Sequence, residues 1–341
     1  MYQRFYGLRE LPFELTSNPK YLFLTPQYRE ALSNLQYGLS SAKAVTLLLG
    51  EAGTGKTTLL RAALESEVCR HVRCVYLNNP ALTRTEFVET LARRFELSPQ
   101  AASSKALLLA ELEQALRERR HRGEISALVV DEAQSLSLEL LEEIRLLANI
   151  ETPTEKLLPV VLAGQPELAG RLNDAALRQL KQRVALRCKI VPFNLQETAA
   201  YMAARIRTAG GDASRLFTRE AVMVIHEHSF GIPRTISVMC DNALLTGFGL
   251  GRQPVNSEIV LEVARDFDLN DARARDTMSH APVADELHVT HGDTASDSPA
   301  RVGATRQAPP DPAAIGDPTV IDERPMFSAK RSHRFSFFGG R

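Results

Sequence analysis

The stretch Gly50-Glu51-Ala52-Gly53-Thr54-Gly55-Lys56-Thr57 fits the pattern G-x-x-x-x-G-K-[ST] at every defined position. The apolar run A-V-T-L-L-L at residues 44–49 lies directly before it, so a strand is expected to enter this loop and a helix to leave it. An ordinary glycine turn is the alternative, but a chance match to the pattern is expected in only about one chain in a hundred. The stretch therefore predicts a nucleotide phosphate-binding loop.

Each residue type in the loop has a chemical reason. Glycines let backbone N–H groups turn inward around a polyphosphate, where a Cβ would clash. Lys56 is predicted to reach the β- and γ-phosphates and Thr57 to place its hydroxyl on Mg²⁺, at the positive end of the following helix. The predicted nucleotide-binding residues are Gly50, Glu51, Ala52, Gly53, Thr54, Gly55, Lys56, Thr57 and Thr58.

Two acidic residues follow a second apolar run. Residues 125–130 (I-S-A-L-V-V) resemble a buried parallel strand that delivers Asp131 and Glu132 to its carboxyl end, where α/β sheets bind ligands. In a P-loop enzyme the first acid, Asp131, holds Mg²⁺ and the second, Glu132, orients and activates the attacking water. Helix-capping acids are the alternative. With the loop upstream, the pair predicts hydrolysis of the nucleotide.

The alternation of strands and helices decides the fold class. Over residues 44–192 it predicts an α/β P-loop domain, a parallel sheet with right-handed crossovers. Residues 193–268 carry only helical periodicity and predict a small helical lid domain. Residues 1–43 are predicted to be an irregular arm and a helix, from Pro26 to about Ser40, packed on this core. Residues 269–341 are rich in Pro, Ser and Asp, so a disordered tail is predicted there.

Composition limits the possible partners and location. The chain has 341 residues, with 41 Lys and Arg against 41 Asp and Glu, so net charge argues neither for nor against a nucleic-acid or membrane partner. The N-terminus lacks the apolar core of a signal peptide, and no run of 18 apolar residues occurs. A cytoplasmic protein without a transmembrane segment is therefore expected, with peripheral attachment to the inner membrane left open.

Several motifs together resemble one family. They are F-Y-G-L-R-E-L-P-F-E-L-T and N-P-K-Y-L-F-L in the arm, then G-E-A-G-T-G-K-T-T-L, L-V-V-D-E-A-Q, V-L-A-G-Q-P-E-L and G-I-P-R. In these the chain resembles the bacterial AAA-type ATPases of the general secretion ExeA/GspA type, including relatives at exosortase and exopolysaccharide loci. The resemblance covers about residues 1–268. The arm at residues 5–24 is more diagnostic than the phosphate loop, which unrelated NTPases share.

The resemblance implies an AAA+ three-layer sheet domain with a helical lid, assembled into a homo-oligomer that holds ATP between subunits. Glu132 corresponds to the catalytic glutamate, Gln165 to the first sensor, and Arg234 to the second-sensor arginine that reaches the γ-phosphate from the lid. Arg183 lies where an arginine finger is expected, with Arg178 as its rival.

These observations lead to a hypothesis of a Mg²⁺-dependent ATPase that drives conformational change as an accessory to an envelope secretion or exopolysaccharide assembly system. The chain differs from secretion-pathway members that continue into a membrane helix and a peptidoglycan-binding module. A DNA-associated ATPase of the transposition or origin-recognition type is the alternative. It is not favoured, because net charge is zero and no winged-helix pattern follows the lid. A third hypothesis is a protein that binds ATP as a conformational switch and hydrolyses it at a negligible rate.

Overall fold

The computed structural model describes residues 1–78 and 82–267, which lie in one compact unit. Its centre is a sheet of five parallel strands in the order β2-β3-β4-β1-β5. The strands are β1 (Val45–Leu49), β2 (Val72–Leu77), β3 (Ile125–Val130), β4 (Val160–Gly164) and β5 (Val184–Lys189). The predicted α/β fold with a parallel sheet is therefore confirmed. The predicted tail, residues 269–341, lies outside the described residues.

Helices surround this sheet and follow it. The helices are α1 (Tyr2–Tyr6), α2 (Pro26–Ser40), α3 (Lys56–Leu64), α4 (Arg84–Arg94), α5 (Lys105–His121), α6 (Leu138–Leu147), α7 (Pro166–Arg171), α8 (Arg178–Gln182), α9 (Leu195–Thr208), α10 (Ala213–Leu216), α11 (Arg219–Ser229), α12 (Pro233–Gly249) and α13 (Ser257–Asp266). After β5 the described chain is helical throughout, as its sequence pattern predicts.

The central strands are apolar because both of their faces are covered. Every residue of β1, β3 and β4 is buried, whereas β5 at the edge alternates between exposed and partly buried positions. One apolar core lies between the sheet and α2 and α3 and continues into the helical part, and a second lies on the opposite face against α4, α5 and α6. This arrangement places the carboxyl ends of β1, β3 and β4 side by side.

The start of β4 is later than the sequence predicts. The apolar run from Leu157 indicates a strand from that residue, but pairing in the sheet begins at Val160. The backbone N–H of Leu157 instead donates to Ile150 O at 3.1 Å, and Pro159 has no N–H to donate. The residues of the run before Val160 are therefore buried by core packing and do not pair in the sheet.

The N-terminal arm contains a helix where an irregular segment is predicted. Helix α1 buries Tyr2 and Tyr6, and Gly7 ends it in the left-handed conformation, with φ 68°. The sequence signal is weak because the helix is short and its apolar side chains are buried by distant parts of the chain. The Tyr6 hydroxyl, for example, donates to Arg252 O at 3.3 Å. Within the described residues, each helix is too short or too polar to span a bilayer.

Candidate nucleotide-binding site

The phosphate loop lies between the carboxyl end of β1 and the start of α3. Gly53 and Gly55 have φ angles of 79° and 93°, a region that side chains with a Cβ rarely adopt. A Cβ on Gly53 would also lie 2.9 Å from Arg234 Cβ, so glycine at this position lets the lid approach the loop. The N–H of Arg234 donates to Gly53 O at 3.1 Å and fixes that approach.

Lys56 is the buried cation of the site. It is 4% exposed, and its Nζ donates to Gly50 O at 3.0 Å and to Glu51 O at 3.2 Å. Burial lowers the pKa of Lys56, and the nearby charges of Glu132 and Asp131 act in the opposite direction. The ammonium group thus lies inside the loop that the sequence predicts to surround a phosphate.

Thr57 and Asp131 form the candidate metal position. The Thr57 hydroxyl donates to Asp131 Oδ2 at 2.6 Å, and the Tyr76 hydroxyl donates to the same oxygen at 2.8 Å. Asp131 is only 3% exposed, and its other oxygen accepts from the N–H of Glu132 at 3.0 Å. A hydroxyl and a buried carboxylate are oxygen ligands of the kind that Mg²⁺ prefers. These residues therefore fit the ion that the loop implies.

Tyr76 is a member of this cluster that the sequence does not single out. Burial, followed by its hydrogen bond to Asp131, raises the pKa of the Tyr76 hydroxyl, so this group remains a donor at neutral pH. The strand pairing places Tyr76 opposite Val129, two residues before Asp131. No motif signals this neighbour, because it depends on the register between two strands that are distant in sequence.

Glu132 has an unusual backbone conformation. Its φ of 53° and ψ of 38° lie in the left-handed region, which is uncommon for residues other than glycine and clusters at functional sites. Its Oε2 accepts from Gln134 Nε2 at 2.6 Å, and Gln134 Oε1 accepts from the N–H of Gln165 at 3.1 Å. A backbone N–H can only donate, so the Gln134 amide must turn its NH₂ group toward Glu132.

The backbone N–H of Gln165 is therefore connected to Glu132 through Gln134. Gln165 lies directly after β4, as predicted, and its N–H is the group that orients Gln134. The sequence pattern singles out Gln165 but not Gln134, the last residue of the D-E-A-Q motif. Gly164 allows this contact, because a Cβ there would lie 2.9 Å from Gln134 Oε1.

A cavity of about 230 Å³ joins the loop to the arm and the lid. Lys56, Thr57, Glu132 and Arg234 all line it. Its other lining residues are Glu14, Leu15, Thr16 and Ser17 of the arm, Gly53, Gly55 and Thr58 of the loop, and Tyr201, Arg205, Pro233 and Ser237 of the helical part. The predicted lid arginine and Glu132 thus face one space, and Asp131 is connected to it through the Thr57 hydroxyl.

A smaller cavity of about 60 Å³ adjoins the first and shares Gly55 and Thr58 with it. Five aromatic side chains line it, and they are Tyr21, Phe23, Tyr28, Phe193 and Tyr201. The Tyr28 hydroxyl donates to Thr54 O at 2.6 Å and ties this aromatic wall to the phosphate loop. A flat heterocyclic ring is the kind of group that such walls accommodate.

The two arginines considered for the finger lie away from this cavity. Arg178 begins α8 and is exposed, and Arg183 directly follows α8 and is partly exposed. Neither lines the cavities that contain the loop residues. Since a finger acts on the site of a neighbouring subunit, both assignments stay predictions.

Comparisons with known proteins agree with this geometry. An AAA domain family matches residues 39–172. General secretion pathway protein A of Aeromonas hydrophila is 39% identical over 255 residues, which make up 75% of this chain and 46% of that protein. The matched part of the chain thus spans less than half the length of that relative.

Solved structures share the fold at lower identity. Cdc6p of Pyrobaculum aerophilum is 20% identical, with 72% of this chain and 67% of that chain covered and a TM-score of 0.56. A Walker-type ATPase of Pyrococcus abyssi is 21% identical, with 79% and 80% covered and a TM-score of 0.53. Drosophila ORC bound to DNA is 18% identical, with 80% and 67% covered and a TM-score of 0.57. These likenesses concern the fold alone.

Proposed function

This chain belongs to the AAA ATPases of the general secretion pathway protein A type, and on that premise we propose that it binds ATP with Mg²⁺ and hydrolyses it to drive conformational change. The observation that carries the proposal is the convergence of Lys56, Thr57, Asp131 and Glu132 at the carboxyl edge of the sheet, with Arg234 lining the same cavity.

Binding of the triphosphate follows from the loop. Its backbone N–H groups and the N-terminus of α3 favour an anion. Lys56 exchanges its two carbonyl acceptors for phosphate oxygens, which are stronger partners because they are charged. The aromatic cavity beside Gly55 receives the base. ATP is therefore held by charge at one end and by ring packing at the other.

Thr57 and Asp131 would hold the metal. When bound, Mg²⁺ supplies charge neutralisation at the β- and γ-phosphates. The Thr57 hydroxyl would serve as a ligand through its oxygen while it donates its proton to Asp131, whose carboxylate would supply negative charge beside the ion. Tyr76 fixes the orientation of the Asp131 carboxylate through its own hydrogen bond.

Glu132 is the proposed general base for the attacking water. Its carboxylate lines the cavity and is held on one oxygen by Gln134, which leaves the other oxygen available to accept a proton from water. Gln165 orients Gln134 and so influences the base indirectly. This assignment gives Gln165 a positioning role, in addition to the γ-phosphate contact that the resemblance implies.

The lid and a neighbouring subunit complete the proposed site. We take residues 44–192 as the ATPase domain and residues 193–268 as the lid, whose Arg234 approaches the γ-phosphate. The proposed assembly is a homo-oligomer with ATP between subunits, in which Arg183 or Arg178 is the arginine finger. A finger stabilises charge in the transition state, so its loss is expected to lower turnover more than affinity.

The biological role is proposed from the named relative. Since that relative is a general secretion pathway protein, we place the chain as an accessory ATPase of an envelope secretion or exopolysaccharide assembly system, at the cytoplasmic side of the inner membrane. The partner is then an envelope-assembly protein. ATP-dependent, salt-sensitive DNA binding by the purified chain would favour the DNA-associated alternative instead.

The direct test is steady-state hydrolysis of ATP by the purified full chain with and without Mg²⁺. We expect turnover to require Mg²⁺, Lys56→Ala to lose nucleotide affinity, and Thr57→Ala to lose the response to Mg²⁺. Glu262→Gln, at an exposed position of α13, is the matched control and should hydrolyse ATP as the wild type does. Mg²⁺-independent rates that are equal in all four proteins would refute the proposal.

A further inference from the structure

Arg205 is a buried cation that the proposed chemistry does not use. It lies on α9, is 8% exposed, and donates to acceptors from two separate parts of the chain. The acceptors are Pro12 O at 2.5 Å, Glu14 O at 2.9 Å, the Tyr201 hydroxyl at 2.6 Å and Ser237 Oγ at 3.3 Å. Within residues 1–78 and 82–267, none of these acceptors is a carboxylate. The guanidinium thus has no carboxylate partner among the described residues, and it lines the nucleotide cavity.

One side of this network leads to the lid arginine. The Tyr201 oxygen accepts a hydrogen bond from Arg205. The Tyr201 hydroxyl can therefore donate its own hydrogen bond to Ser237 Oγ, 2.8 Å away. Ser237 in turn donates to Pro233 O at 2.9 Å. Pro233 is the first residue of α12 and directly precedes Arg234. The helix start that presents Arg234 is therefore anchored through hydroxyl groups to Arg205.

The other side of the network holds the arm. Arg205 binds the carbonyls of Pro12 and Glu14, and its guanidinium carbon lies 4.7 Å from the centre of the Tyr21 ring. Residues 14–17 follow these carbonyls and form a wall of the cavity. At their far end Ser17 O accepts from Arg61 of α3, at 3.3 Å. This arm segment, residues 14–17, thus links the lid helix α9 to the helix that leaves the phosphate loop.

We infer that Arg205 is a positioning residue that fastens the arm segment and the start of α12 to each other around a bound nucleoside triphosphate. A planar guanidinium can serve four acceptors in fixed directions, and a lysine at the same position cannot. Nucleotide that contacts the loop, the arm segment and Arg234 then stabilises all three together through Arg205. The inference rests on the proposed nucleotide binding. It adds that Arg205 couples the arm segment to the bound nucleotide.

The test is hydrogen exchange of the amides of residues 13–17, with Mg²⁺ and a slowly hydrolysed ATP analogue at saturation. In the wild type we expect the analogue to slow exchange about tenfold or more, because opening the arm then costs binding free energy. In Arg205→Gln and in Arg205→Lys the slowing should be lost although the analogue is bound. Arg207→Gln, an exposed position on the same helix, should behave as the wild type.

The affinity of each variant for the analogue is measured first, and each exchange experiment is run at a saturating concentration. Faster exchange in a variant then cannot result from weaker binding of the analogue. Full protection of the arm in Arg205→Gln, or its return in Arg205→Lys, would overturn the inference. A wild type that binds no analogue would refute the proposed function as well, whereas normal binding with an unresponsive arm refutes this inference alone.

A second variant tests the side of the network that leads to α12 without changing Arg205. It keeps the inference testable if the Arg205 variants fail to fold. Ser237→Ala removes the hydroxyl that contacts both Tyr201 and Arg205 and donates to Pro233 O, but it leaves both arm carbonyls in place. We expect arm protection to persist and kcat to fall severalfold at unchanged nucleotide affinity, because the start of α12 loses an anchor. Unchanged kcat in this variant would contradict the connection to Arg234.

Discussion

Glu132, the proposed general base, is held by a residue two positions further along the chain, and that contact sets the orientation of its carboxylate. The left-handed backbone at Glu132 turns the chain so that Gln134 can return to its carboxylate. The N–H of Gln165 then prevents the Gln134 amide from flipping, because the reverse orientation would bring two donors together. A general base is effective only when it is held in hydrogen-bonding reach of its proton.

Replacing Gln134 with alanine should therefore affect turnover and spare binding. We expect kcat to fall about tenfold or more while ATP affinity changes less than about twofold, since general-base catalysis contributes about 10²–10⁴ and only its orientation is lost. Gln114→Ala, at an exposed position of α5, serves as the control. Steady-state and single-turnover rates measure the effect, and equal losses of affinity and turnover would argue against a positioning role.

The buried Lys56 should make the stability of the protein depend on pH. Burial lowers its folded-state pKa below the unfolded value of about 10.4, so folding disfavours its charged form. That penalty is fully present below the folded-state pKa and is relieved as pH rises toward the unfolded value. Without nucleotide, the Tm of the wild type relative to Lys56→Met should therefore increase between about pH 7 and pH 10. Thermal melts of both proteins across this range measure it, and a flat or falling difference contradicts the assignment.

At the residue scale, the sequence predicts the groups whose roles are fixed by local spacing. Lys56, Thr57, Asp131 and Glu132 meet as their motifs indicate. Tyr76 could not be found in the same way, because its role depends on the pairing of β2 with β3. The partners of Arg205 lie about 190 residues away in the arm and escape any local pattern.

At the scale of elements, the junction between α11 and α12 packs against the segment that connects β5 to α9. Gly231 has a φ of 73°, and its carbonyl accepts from the N–H of Phe193 at 2.8 Å. A Cβ on Gly231 would lie 1.9 Å from Phe193 O, which is far inside van der Waals contact. Glycine is needed here both for its dihedral angles and for the close approach of the two backbones.

Gly231→Ala is accordingly expected to destabilise the protein by more than about 2 kcal/mol, because a strained backbone and an atomic overlap coincide. Gly249→Ala, near the end of α12, is the control, since a Cβ added there would meet nothing within 4 Å beyond the adjoining backbone of its own helix, and its φ is not positive. Chemical unfolding of the two variants gives the comparison. A loss as small as that of Gly249→Ala would mean that the junction adjusts freely.

Elements with strong periodicity and a cap are predictable from the sequence. Helix α2 runs over Pro26–Ser40 as predicted, and Thr25 Oγ1 accepts from the N–H of Tyr28 at its start. Helix α1 and the first residue of β4 are not predictable in this way. The first is stabilised by burial against distant helices, and the second depends on where a neighbouring strand begins. Tertiary contacts outweigh local propensity in both cases.

At the scale of the whole molecule, the arm, the sheet domain and the lid each contribute a wall to one cavity. A ligand in that cavity touches parts of the chain that are far apart in sequence, so its presence can shift their relative positions. The AAA domain match at residues 39–172 leaves out the arm and the part of the chain after α7, which contains β5 and helices α8 to α13. Arg205, Arg234 and the arm segment, residues 14–17, therefore lie outside the matched domain.

Assembly provides the prediction at this scale. If Arg183 is the finger, Arg183→Ala should lower kcat about 10³-fold with little change in ATP affinity, and Arg178→Ala should not. Specific activity should also rise with protein concentration as subunits associate. Equal activity in the two variants, or specific activity that is independent of concentration, would count against catalysis between subunits with Arg183 as the finger.

The central claim is that the paired acids and the loop form a hydrolytic site rather than a nucleotide-binding switch. The most direct measurement is single-turnover hydrolysis of ATP beside ATP affinity, in the wild type and in Glu132→Gln. The account predicts that both proteins bind Mg²⁺ and ATP with similar affinity, and that Glu132→Gln loses at least about 10²-fold in the rate of cleavage. Wild-type protein that binds ATP tightly but cleaves it no faster than Glu132→Gln would contradict it.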